Sequence, residues 1–119
     1  MDLGGPRTNL LLRLLSASSE RARVIAGNLG NQNTPGYQRR DVQFESLLQE
    51  ELVKRAPHLD EVRAELVVDT DTTGRPDGNN VVVEEEVSAM RENLLRYQLY
   101  ATILRGQAKL IQSAIHGDR

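Results

Sequence analysis

The sequence has no cysteine and no tryptophan. Without thiols there are no disulfides, thiolate metal sites or thiol nucleophiles. The aromatic residues are Phe44, Tyr37, Tyr97 and Tyr100, too few for a platform on which bases stack. The two histidines, His58 and His116, lie far apart in sequence, so neither a histidine metal centre nor a catalytic triad is expected. No apolar run approaches the roughly 18 residues of a membrane span. The Leu10 to Leu15 cluster is broken by Arg13 and continues past Ser16-Ala17-Ser18 as an amphipathic pattern, so a cleaved signal peptide is not expected. An excess of one charge is lacking too. Fifteen Lys and Arg against 17 Asp and Glu leave a net −2, and no global basic field is available to hold nucleic acid or an anionic membrane.

What the chain does have is arrangement. Its 119 residues suit a single domain. Residues 1–40 carry six basic and two acidic side chains, residues 41–86 four and thirteen, and residues 87–119 five and two. Two basic arms thus flank an acidic centre, a layout that lets like chains attract one another head to side.

Apolar spacing predicts a helix over 8–32. Leu11, Leu15, Ser18, Ala22, Ile25 and Leu29 alternate steps of four and three, and Leu10, Leu14, Ala17 and Val24 run beside them. Asn31 and Asn33 suit the helix end. Thr34 before a proline is pushed out of helical geometry, Pro35 presets its φ, and Gly36 can take the positive φ of a type II turn. Beyond it Asp41 is the expected N-cap of a short helix bearing Phe44, Leu47, Leu48 and Leu52, ended by Pro57. Leu66 to Val68 and Val81 to Val83, around a polar stretch with Gly74, Pro76 and Gly78, predict a loop or small irregular hairpin.

The C-terminal pattern is the strongest. Val83, Val87, Met90, Leu94, Tyr97, Ala101, Leu104, Ala108, Ile111 and Ile115 step alternately by four and three with no polar exception. At a 39% apolar rate, that has a chance of about one in ten thousand per register. It predicts a helix over 83–116, with Glu84, Glu85 and Glu86 as its charged, solvated first turn. A second row, Leu95, Leu99, Ile103 and Leu110, lies beside the seam. If the two terminal helices fold back on one another, the second row on each is left wet, and other chains are expected to cover it. The expected fold is mainly α: an antiparallel, coiled-coil-like pair of long terminal helices, with 33–82 forming the turn, a short helix and an irregular or small β-hairpin centre.

Two chemical motifs fail on inspection. Asp69-Thr70-Asp71-Thr72-Thr73-Gly74 starts like a calcium loop, but Asn80 stands where a bidentate glutamate is required. Consecutive Glu84, Glu85 and Glu86 point in different directions on a helix, which does not make a carboxylate pair. Tyr97 on the seam is expected in a core or interface, its hydroxyl bonded. Asn28 and Asn31 read equally well as helix-end residues in water and as groups bonding across subunits, while Tyr37 could contact a neighbour.

The run from Ala26 to Tyr37, ending Thr34-Pro35-Gly36-Tyr37, resembles the N-terminal signature of bacterial flagellar rod and hook proteins. So do Tyr37 to Phe44, Pro76 to Val81, and Glu92 to Tyr97 continuing to Ile115; within this family the match is to the proximal rod subunits. Gly30 stands where the family has alanine, and Asn33 where it often has aspartate. The resemblance implies a structural subunit of the proximal rod in the periplasmic part of the basal body, without cofactor or catalysis. It also implies export by the flagellar type III apparatus and polymerisation through the terminal helices into a torque-transmitting tube around the export channel. Implied partners are further copies, other proximal rod proteins, the export gate and the MS ring region, with no nucleic acid and no membrane span. It marks Asn28, Asn31, Thr34, Pro35, Gly36 and Tyr37 as the turn motif. The packing and assembly residues expected are Leu11, Leu15, Ile25, Leu29, Val87, Met90, Leu94, Tyr97, Leu99, Leu104, Ile111 and Ile115. The alternative is a helical adaptor or secretion-chaperone-like module, which has no need of the Thr-Pro-Gly-Tyr turn.

Overall fold

The computed structural model describes residues 5–117. Helix α1 spans Pro6–Gly30 and opens on a proline, whose missing N–H would have had no helical partner there. Strand β1 (Arg40–Gln43), helix α2 (Glu45–Leu52), a 3-10 turn (Leu59–Glu61) and strand β2 (Glu65–Val68) make the centre, and helix α3 runs Val83–His116. Thr8 meets Gln107, Arg21 meets Asn93 and Asn28 meets Glu86, so each step up α1 meets a residue further down α3. The long helices are therefore antiparallel, as the sequence led us to expect.

The Pro35-Gly36 turn forms as expected. Gly36 has φ +75° and the Tyr37 N–H donates to Thr34 O, the pattern of a type II turn with proline second and glycine third. Two details of the centre differ from the expectation. Asp41 is not a helix N-cap but lies in β1, and α2 begins four residues later. The partner of β2 is not Val81 to Val83, which lead into α3, but β1, antiparallel with Val42 opposite Leu66 and Arg40 opposite Val68.

The apolar core sits on one side of α1. Ala17, Phe44 and Leu48 are buried together, with Leu10, Leu14, Leu59 and Val62 against them. The second apolar row of α1 is thus covered by the chain's own centre, contrary to the expectation that it stays wet. The second row of α3 has no such cover, and Leu95, Leu99, Ile103 and Leu110 are all exposed. The molecule is 64 × 35 × 15 Å, with a radius of gyration of 18.3 Å, against about 13.5 Å for a compact domain of this length. Its accessible surface is 8369 Å², whereas a compact monomer of its mass exposes about 6,400 Å². The fold is long, thin and incompletely shielded.

Candidate functional site, a polar clasp and an open helix face

The turn motif leads into a clasp of buried amides. Asn28, fully buried, uses every hydrogen-bonding position of its side chain. Its Oδ1 accepts from the Tyr37 hydroxyl at 3.0 Å and the Arg40 N–H at 2.9 Å, and its Nδ2 donates to Arg40 O at 2.8 Å and Glu86 Oε2 at 3.0 Å. An amide that both donates to and accepts from one residue's backbone acts as a strand neighbour would. Arg40 is held extended, and β1 begins there instead of the expected helix. Asn28 therefore neither faces water nor is left free for another subunit; its four bonds are spent inside the chain.

Asn31 caps α1, donating from Nδ2 to Gly27 O at 2.8 Å while its Oδ1 accepts from Thr34 Oγ1 at 3.1 Å. Thr34, Pro35 and Gly36 are exposed and Tyr37 half-buried. The other jaw is Asp77-Gly78-Asn79-Asn80. Asn79 Nδ2 donates to Asn31 O and Thr34 O, both at 2.8 Å, and Asn80 Oδ1 accepts from the Arg39 N–H at 2.6 Å. The Gly36 N–H donates to Asp77 O at 2.8 Å. Gly78, with φ +87°, comes so close that a Cβ on it would stand 3.3 Å from Gly36 Cα. Each glycine thus serves both its own turn and the contact between the two turns.

Charge locks the jaws to α3. Arg39 Nε donates to Glu86 Oε1 at 2.6 Å and its Nη1 to Asp69 Oδ2 at 3.0 Å. Glu86, read from sequence as a solvated helix start with Glu84 and Glu85, is instead 1% exposed, while its two neighbours are exposed. A buried carboxylate is tolerable when paired and hydrogen-bonded, and Arg39 with Asn28 supplies both conditions. Asp69, which had opened the apparent calcium loop, accepts from the Asp71 and Thr72 N–H groups, Thr72 Oγ1 and Arg39. Both of its oxygens are occupied, and among the described residues no group of three or more metal-ligating side chains exists.

Further along α3 the same polar line continues. Asn93 Nδ2 donates to Ser18 O at 2.8 Å, and its Oδ1 accepts from Arg21. Arg21 in turn pairs with Glu45 at 2.6 Å, whose other oxygen accepts from the Tyr100 hydroxyl at 3.1 Å. Gln107 ends the line, bonded to Thr8 at 3.0 Å. Glu86, Asn93, Tyr100 and Gln107 fall seven apart, so the line of α3 that faces α1 is polar, while the apolar seam read from sequence flanks it. The small Ser18 on α1 is what lets Asn93 reach the opposite backbone. On α3 the tyrosine with a bonded hydroxyl is accordingly Tyr100; Tyr97 is 41% exposed.

Of the proposed packing residues, Leu11 and Ile25 are buried, and Leu15, Leu29, Val87, Met90, Leu104 and Ile111 are half-buried. Leu94, Tyr97, Leu99 and Ile115 are exposed. Sequence reasoning missed Arg39, Asn79, Asn80, Glu86 and Asn93. For Asn79 and Asn80 the signal was a pair of amides after Asp-Gly, read as ordinary turn residues.

The carboxylates of the clasp carry a pH dependence. The Thr72 hydroxyl, then the Thr72 and Asp71 N–H groups and Arg39, hold Asp69 well below the usual carboxylate range. Burial, the largest single influence, raises Glu45, but the hydrogen bond and charge of Arg21, a backbone N–H and the Tyr100 hydroxyl together outweigh it and the net shift is downward. Groups lowered in the folded state contribute stability above their unfolded value, near pH 4, and lose it as the pH falls toward the folded value. Urea midpoints are therefore expected to hold level from pH 7 to about 5 and to drop steeply below about 4. Asp69→Asn should remove roughly one proton's share of that slope.

The fold is thus two long antiparallel helices, closed at one end by an Asn-Thr-Pro-Gly-Tyr clasp and with the outer apolar row of α3 exposed. The chain is 30% identical to the flagellar basal body rod protein FlgB of Aeromonas hydrophila over 122 residues, covering 88% of this chain and 89% of that protein. It is 29% identical to the Aquifex aeolicus FlgB, with 92% of each covered, and 26% identical to that of Bacillus subtilis, with 88% and 89% covered. The chain belongs to the FlgB family of flagellar basal body rod proteins. No protein-family model matches it.

Proposed function

We propose that the chain is a structural subunit of the proximal rod of the bacterial flagellar basal body, polymerising through its terminal helices into the torque-transmitting tube around the export channel. Its partners are further copies, the other proximal rod proteins, and the export gate and MS ring region. It reaches the periplasmic rod by flagellar type III export, and its role is mechanical, with no catalysis. The observation that carries this reading is the uncovered apolar row of α3, on a molecule with about 2,000 Å² more surface than a compact monomer of its size. Helices that complete their packing among neighbours form a close-packed, poorly compressible wall, and a contact between unlike faces repeats without closing. No described helix is long and apolar enough to cross a membrane. A simple helical adaptor has no use for the clasp, so we do not favour that alternative.

The test is an electron cryomicroscopy map of basal bodies from the source bacterium at side-chain resolution, beside those of a strain lacking the chain. The expected result is density for α1 and α3 in the rod base, and loss of rod and swimming in the deletion strain. Intact rods in the deletion strain refute the reading.

A further inference from the structure

The exposed face of α3 has more character than bare hydrophobicity. Leu95, Leu99, Ile103, Gly106 and Leu110 follow steps of four and three, so they lie on one side of the helix. The four larger side chains are 42% to 73% exposed. Gly106 costs an exposed helix interior about 1 kcal/mol relative to alanine, and open space surrounds the Cβ position it lacks. Among the described residues nothing accounts for a glycine there, whereas a backbone approaching the stripe from outside would. From Asn93 to His116 this helix carries Arg96, Arg105 and Lys109 and no acidic residue, and all three cations are exposed.

A surface of the opposite kind exists on the same molecule. Leu66 and Val68 alternate along β2 and so share a face, the face on which their ladder partners Val42 and Arg40 lie. Val42 is buried against α1, but β2 overhangs, leaving Leu66 and Val68 about half exposed. Residues 57–74 around this strand hold five carboxylates and a single arginine, and Asp60, Glu61 and Glu65 are exposed.

We infer that the Leu95 to Leu110 stripe of α3 in one copy seats on the Leu66 and Val68 face of the central ribbon in a second copy. This rests on the proposed function and names the two surfaces that meet. Charge decides between this and the alternatives. Stripe against stripe sets Arg105 and Lys109 of two copies against one another, and stripe against α1 opposes two basic arms. Stripe against ribbon pairs a cationic margin with an acidic one. Complementary charge of this sort selects partner and orientation more than it adds affinity. Because the two faces are different, the contact leaves one of each unfilled and so continues from copy to copy.

The test places a photoreactive benzoylphenylalanine at Ile103 in the full chain, expressed in cells, and maps the cross-links formed in isolated basal bodies. The expected product has twice the chain mass and links position 103 to residues within 61–69 of another copy. Products linked to another copy's α3, to a different protein, or no product from basal bodies that contain the chain would overturn the inference. Absence of the chain from basal bodies would instead overturn the proposed function. A second measurement does not depend on the bulky label. Asp60→Lys with Glu61→Lys should lower swimming at least fivefold, as should Arg105→Glu with Lys109→Glu, and all four together should recover at least half of it. Failure of the fourfold variant to exceed either double variant also overturns the inference.

Discussion

Asn28→Ala is expected to lower stability by about 3–5 kcal/mol. It removes four hydrogen bonds at once, strands one oxygen of the buried Glu86 and leaves the part-buried Arg40 N–H and carbonyl without the amide that pairs them. Each buried orphan costs about 1–3 kcal/mol; the Tyr37 hydroxyl, half-buried, can turn to solvent and adds little. A domain of this size has roughly 5–15 kcal/mol in all, so the variant should be close to unfolded at 37 °C. Urea unfolding followed by circular dichroism measures the loss. Thr34→Ala, in the same signature but exposed, is the comparison and should change stability by about 0.5 kcal/mol or less. Equal effects of the two substitutions would mean that the clasp does not hold the fold together.

The opposite pattern is expected of Leu99→Asp. Leu99 is 56% exposed on the open face, so the isolated chain should lose only about 0.5 kcal/mol, mainly the lower helix propensity of aspartate. In an assembled rod the same carboxylate would be buried without a partner, at a cost of several kcal/mol per contact. The variant should be exported at wild-type levels and yet support neither rod formation nor swimming in soft agar. Normal motility would show that this face stays in water. Together the substitutions separate two roles that share the terminal helices, one line folding the molecule and the other completing it among copies.

The long helices were legible because their signals are local and repeated. The four-three spacing from Val83 to Ile115 predicted α3 over 83–116, the range it occupies, since ten concordant positions outweigh any single residue's preference. Pro35-Gly36 was as plain, because φ restriction acts within one residue. Asp41 was misleading for a physical reason: a cap is a local option, and the competing bonds are those that Asn28 makes to the preceding residue, Arg40, twelve positions away. Glu86 misled similarly. Three consecutive glutamates at a helix start satisfy the dipole, and nothing nearby says that the third meets Arg39 across the fold.

The sequence by itself determined that this is a cysteine-free chain with two long terminal helices, carrying more apolar helical surface than one partner helix can cover, and where its turn falls. Only the tertiary structure decided which surface stays open. The second row of α1 is covered by Phe44 and Leu48, and that of α3 is not. It also decided that the helices meet along a polar line, with Asn28, Asn93 and Glu86 buried between apolar flanks. Periodicity records which residues are greasy, but burial depends on where the central segment folds back, and hydrogen bonds between residues 58 to 75 positions apart fix that.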